Sequence, residues 1–145
     1  MTFKILFYIL FMALNTANQA NSESQKILPP CRDSPNCVSS QAQDAKHYIE
    51  PFKINGSPEE AWNELKKVLN GQSRMVITHE TADTLHAEAT SLVFQFVDDI
   101  NVILDKDTNT IHVRSASRIG HSDFGVNRKR IEALRLQLQK VHVID

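Results

Sequence analysis

Between Leu85 and Arg135 the chain carries more charged and polar side chains at regular spacing than a sheet needs. Strand-like alternation sends apolar residues to one face, and the other gathers His86, Glu88, Asp99, His112, Arg114 and Arg118. A helix follows whose first turn holds Arg128, Lys129 and Arg130. Imidazoles beside carboxylates are the materials of acid–base chemistry. Arginines beside a helix N-terminus are the materials for holding an anion, because free backbone N–H groups and guanidinium forks both donate to it. Arg114, Arg118, Ser122, Asn127, Arg128 and Arg130 therefore form the candidate anion site, at the junction of strand 111–120 and helix 127–141. His86, Glu88, Asp98, Asp99, His112 and Asp123 are the acidic and polar residues that support it, or that hold the arginines in a salt-bridge network.

Cations at a helix start oppose the macrodipole, at a cost of ~0.3–1 kcal/mol each, so something must compensate them. Asp98, Asp99 or Asp123 could do so from within, and an external anion could do so as well. The even match of acids and bases favours the internal network. A catalytic reading is weaker. No nucleophile has a recognisable elbow or partner spacing. His86, Glu88 and His112 could ligate a metal only if their strands met, and another strand separates them in a simple meander. The expectation is a noncatalytic binding or interaction domain without cofactor or metal. The alternative is a small hydrolase or metal-dependent enzyme using the His/Asp/Glu face.

The elements that must position these residues are legible from periodicity. Tyr48–Ile54 reads as a strand. Ser57, Pro58 and Glu60 then open a helix as N-cap, first helical residue and capping-box partner. Ala61, Trp62, Leu65, Val68 and Leu69 make its buried stripe, with Trp62 as a core anchor, and Gly71 ends it. Strands are expected at Arg74–His79, Leu85–Thr90, Phe94–Leu104 and Ile111–Gly120. In the third of these Asp98 falls in phase with Phe94, Phe96, Ile100, Val102 and Leu104, which calls for a partner or a bulge. The Asp105–Thr110 turn carries Asp-x-Asp-x-Asn but lacks the glycine and terminal glutamate of a calcium loop, and reads as a hairpin. A last helix starts near Asn127 as cap and buries Ile131, Leu134, Leu138 and Val141. The order β-α-β-β-β-β-α implies a two-layer α+β fold, an antiparallel sheet of about five strands with two helices on one face.

The chain has 145 residues and a formal net charge of −1, so bulk electrostatics give no reason to bind nucleic acid. The charge is unevenly placed: acids crowd Glu80–Asp107 and bases crowd Arg114–Lys140. At the N-terminus, Lys4 precedes an unbroken apolar run, Ile5–Leu14. That is short for a membrane span and fits a signal peptide over residues 1–20. The expected location is periplasmic or secreted, the alternative being an uncleaved N-terminal anchor, which would be the only membrane contact. Leu28-Pro-Pro-Cys31 is unsuited to a lipoprotein site because prolines stand where small flexible residues are needed. Residues 21–46 read as an extended segment with a Cys31–Cys37 loop, ahead of a domain at 47–145. In an exported chain two close cysteines are most simply a disulfide. A metal pair would need about two more ligands, His47 being the nearest. A redox pair would normally show Cys-x-x-Cys. The partners expected are an anionic small molecule or an envelope protein.

Four motifs recur in order: Cys31–Ser40, Leu85-His-Ala-Glu88, Phe96-Val-Asp-Asp99 and Ser115–Ile131. Together they make the chain resemble domain-of-unknown-function family number 1499 from Cys31 to about Gln137. The resemblance implies a protein of mostly bacterial kind, often exported or membrane-associated. It implies no reaction, since the family carries no established activity. Two positions depart from the family pattern, Gln95 where a basic residue is expected and Asn101 where an acidic one is. If those two form a pair in the family, this chain has lost it in concert.

Overall fold

The computed structural model describes residues 26–145, so the expected signal segment lies outside the described residues. The elements run β1 (Cys37–Ser39), β2 (Phe52–Lys53), α1 (Pro58–Asn70), β3 (Met75–Glu80), β4 (Thr84–Thr90), β5 (Val97–Asp105), β6 (Thr110–Ser117) and α2 (Val126–Lys140). They form one six-stranded antiparallel sheet in the order β1-β6-β5-β4-β3, with β2 also on β6. The fold is α+β, as the periodicity implies.

α1 begins as its sequence requires: Ser57 Oγ accepts from the Glu60 backbone N–H at 3.3 Å and Pro58 stands first in the helix. Ala61, Trp62, Leu65 and Leu69 are buried, so Trp62 belongs to the core. The facing row of the sheet comes from Leu85 and Ala87 on β4, Ile100, Val102 and Leu104 on β5, and Ile111 and Val113 on β6. Ile131, Leu134 and Leu138 of α2 close the same core. Both helices thus cover one face, and the polar row of His86, Glu88, Asp99 and Arg114 lies on the other.

Four expectations change. β1 is a strand that periodicity does not show: Cys37–Ser39 pairs with Arg114–Ala116, so the N-terminal segment is part of the sheet. The long strand begins at Val97, not Phe94. Ser91 closes a turn there, its N–H donating to the Phe96 carbonyl and its Oγ accepting from the Phe96 N–H, and Gln95 adopts φ 55°. Phe94 and Phe96 are therefore exposed. Asn127 does not cap α2 but lies buried in its first turn, behind Gly125 at φ 77°. Val141 is exposed, and Val143 and Ile144 take its place in the core, Ile144 bridging to Ile54.

Candidate functional site

The core row turns polar toward the start of α2, where Asp98, Ser115 and Ser117 continue the register. Asp98 has the partner its phase demands: Arg130 Nη2 donates to Asp98 Oδ2 at 2.6 Å, and both side chains are largely buried. The other guanidinium nitrogen donates to Ser115 Oγ at 2.9 Å and Asn127 Oδ1 at 2.8 Å. The Asn127 amide donates to the Asn36 carbonyl, Ser117 Oγ and Asp123 Oδ2. A buried amide whose donors and acceptor are all matched stabilises one packing of helix against sheet.

Asp123 occupies the anion position at the head of α2. Its carboxylate accepts from the backbone N–H groups of Gly125 at 2.8 Å and Asn127 at 3.0 Å. Burial raises its pKa, but the hydrogen bonds from Asn127 and Gly125 outweigh that and hold it below the usual carboxylate range. The helix dipole is thus answered from within.

On the opposite face, Arg118 Nη2 donates to Asp99 Oδ1 at 2.8 Å and to Glu88, and its Nε to Asp99 Oδ2 at 3.0 Å. His86 Nε2 lies 2.8 Å from Asp99 Oδ1, and its Nδ1 bonds to Thr78 Oγ1. Arg118 chiefly, helped by His86 and opposed by burial, holds Asp99 below the ordinary carboxylate range. The carboxylates in turn raise Arg118. His86, Glu88 and Asp99 offer ligand atoms all within 4.8 Å of one another, a set that suits a divalent cation by type. Arg118 already supplies the positive charge such an ion would bring. His112, expected beside them, lies apart: its Nδ1 is 3.3 Å from Ser40 Oγ, and burial pushes its pKa down.

Next to Arg118 the Cys31–Cys37 loop walls a cleft of about 180 Å³ lined by Arg32, Asn36, Asp99, Arg114, Ser117 and Arg118. The cysteines are joined as a disulfide with Cα atoms 5.7 Å apart. His47 is not a metal ligand beside them: its Nδ1 is 2.8 Å from Asp44 Oδ1 and its Nε2 2.9 Å from the Ser34 carbonyl. Arg114 reaches the Asn101 amide oxygen at 3.1 Å and the Pro30 carbonyl at 3.4 Å, both uncharged acceptors. Its Nε is buried and has no partner among the described residues. Burial depresses the Arg114 pKa, Asp99 works against that, and Arg32 adds to it. Arg32 and Arg114 form no ion pair among the described residues.

The six residues expected at one junction are thus distributed. Arg114 and Arg118 share the cleft. Arg130 and Asn127 lie beneath α2 in the buried network. Arg128 donates to the carbonyls of Lys46 and Tyr48 and fastens the N-terminal segment. Ser122 is exposed, and its Oγ accepts from the Phe124 N–H at 3.4 Å. Arg32 and Asn36 were not among the expected site residues, because Arg32–Asn36 reads as turn chemistry and distant partners aim it at the sheet, the disulfide together with the bonds of Asn36 to Ser117 and Gly120. The two departures from the family pattern do not meet. Asn101 accepts from Arg114, and the Gln95 amide donates to the Leu92 carbonyl.

No curated protein and no solved structure matches the chain. The family model described as "Protein of unknown function (DUF1499)" matches residues 27–138, which take in the cysteine loop, the whole sheet and nearly all of α2, and the chain belongs to that family.

Proposed function

We propose that the protein is a noncatalytic binding domain acting outside the cytoplasm, and that it holds a small carboxylate or phosphate anion in the cleft between the disulfide loop and the polar face of the sheet. One observation carries this. Arg32 and Arg114 bring two like charges to the same cleft, one of them half-buried, and among the described residues the Arg114 Nε has no partner and neither arginine has a carboxylate of its own. Arg118 does, since Asp99 and Glu88 neutralise it. An anion between Arg32 and Arg114 would relieve their repulsion, and charge-assisted bonds of this type are the strong ones. The disulfide and the apolar run Ile5–Leu14 support an oxidising, exported setting.

Titration calorimetry with inorganic phosphate, sulfate and a dicarboxylate tests the reading. Wild-type protein is expected to bind at least one of them. Arg32→Gln and Arg114→Gln are each expected to weaken it by about tenfold or more, the worth of a charged hydrogen bond. Arg128→Gln, whose side chain lies outside the cleft, should bind normally. Equal affinity in all three variants, or no heat in the wild type, refutes the proposal.

A further inference from the structure

We propose that the two loops at one end of the sheet form a membrane-binding tip that inserts into an anionic lipid surface. The β4–β5 turn presents Leu92, Val93, Phe94 and Phe96, and the β6–α2 loop presents Ile119 and Phe124, all of them exposed. Phe124 is 89% exposed. Single exposed hydrophobics are ordinary, but a contiguous set on neighbouring loops marks an interaction surface. Phe94 and Phe96 stack on each other, with centroids 5.3 Å apart, and not on the core. A groove of about 290 Å³ between the loops is walled by Phe94, Phe96, Ile119, Phe124 and Val126.

The backbone is bent to hold these side chains outward. Gln95 and Phe124 adopt φ 55° and 53°, a left-handed conformation that costs a residue with a Cβ. Ser91 Oγ, accepting from the Phe96 N–H in one loop, and the Asp123 carboxylate, accepting from the Gly125 N–H in the other, over-determine both bends.

Charge selects the occupant. Ser91–Val97 contains no charged residue. The one carboxylate of the second loop, Asp123, is consumed by the head of α2. Behind the tips stand Arg74, which donates to the Thr90 carbonyl, and Lys129 in the first turn of α2, neither of which forms an ion pair among the described residues. At the opposite end of the sheet the acids of the β5–β6 hairpin are answered from within, Lys26 pairing with both Asp105 and Asp107. An apolar tip with unpaired cations behind it fits an anionic bilayer, where apolar groups enter the interface and each basic residue adds its attraction to the headgroups. A second copy of the chain fits poorly, because docking tip to tip would set cations against cations.

The test must report on the loop itself, since the apolar run Ile5–Leu14 could also attach the full chain to lipid. Trp62 is the only tryptophan and is buried, so it serves as an internal blank. Full-length Phe124→Trp is mixed with vesicles of phosphatidylcholine and phosphatidylglycerol bearing brominated chains. The expected result is blue-shifted, quenched emission from the new tryptophan and no change in the wild type. The double variant Phe94→Ser/Phe124→Ser should lose vesicle partitioning by more than about tenfold, from the apolar area removed. Lys129→Gln should lose about fivefold on anionic vesicles and nothing on neutral ones. Arg114→Gln, which alters the separate anion cleft, should leave the quenching intact. Binding without quenching at position 124 would mean attachment elsewhere and overturn the proposal. So would a double variant that changes only self-association or capture of an acidic protein.

Discussion

Asp98 and Asp99 are adjacent in the chain and face opposite sides of the sheet, and that difference sets what each is worth. Asp98 lies in core phase, nearly buried, with Arg130 as its counter-ion. Removing one partner of a buried pair strands the other charge, so Asp98→Ala should cost about 3 kcal/mol in urea unfolding. Asp99 sits on the open face, where water screens its bonds to Arg118 and His86. Asp99→Ala should cost only about 1 kcal/mol. Equal losses would show that the two pairs are equally buried, against this account. Because Arg118 depresses the folded pKa of Asp99, its contribution is present above the ordinary carboxylate value and is lost as pH falls through the lower folded value. The same sign holds at Asp105, held down to about 2 chiefly by Lys26. The need for a partner at Asp98 was legible from parity alone. Its identity was not, because nothing in the spacing of α2 distinguishes Arg130 from Arg128, which turns instead to backbone carbonyls.

The elements were legible where local chemistry decides them. Ser57, Pro58 and the stripe from Ala61 to Leu69 specify α1 by capping and by a period of helical spacing. They were illegible where a distant partner decides. Cys37–Ser39 has no alternation to show and becomes a strand only because β6 offers an edge. Phe94 and Phe96 share parity with Ile100 and so extend the expected strand, yet a turn at Gln95 takes them out of it, and glutamine carries no turn signature. The disulfide loop shows how such an element is held. Between a carboxylate and a carbonyl, both nitrogens of His47 can donate only when the ring is protonated, and the imidazolium then ties Asp44 to the loop carbonyl of Ser34. Its pKa is raised, first by Asp44 and then by Ser34. A raised pKa gives stability that is complete below the ordinary histidine value and lost as pH rises through the folded value. Hydrogen exchange of the Cys31–Cys37 amides should therefore quicken, beyond the intrinsic base effect, as pH passes that value. His47→Gln should remove the step. A step that survives the substitution would place the titrating group elsewhere.

A sheet exposes two edges, and this protein treats them differently. β3 is an open edge, broken by a register shift between Ile77 and His79 and ending in exposed Thr78, His79 and Glu80, features that discourage pairing with another chain. The β6 edge has no such defence of its own, since Ile111, Val113 and Ser115 are wholly core. It is covered instead by β1 and β2 from the N-terminal half of the chain. The same segment lays Leu28 in a buried position on the polar face, whose Ile103 is buried as well, and Gln41 ties it down by accepting from the Leu28 N–H at 2.7 Å and donating to the Lys26 carbonyl at 2.8 Å. Ser40 then continues the ladder, its N–H donating to the Val113 carbonyl and its Oγ accepting from the Val113 N–H. Residues that read as a lead-in thus finish both the edge and the face of the domain. A chain trimmed to begin at Ala42 should keep α1, α2 and the four long strands but expose the upper half of β6 together with Ile103. Light scattering should show it associating with rising concentration, through unpaired β6 edges, while the untrimmed chain keeps its mass. Restoring residues 26–41 as a separate peptide should reverse the association, because the peptide supplies β1 in trans. A trimmed domain that stays monomeric and equally stable would mean that β6 needs no cover, and that the N-terminal segment serves the cleft alone.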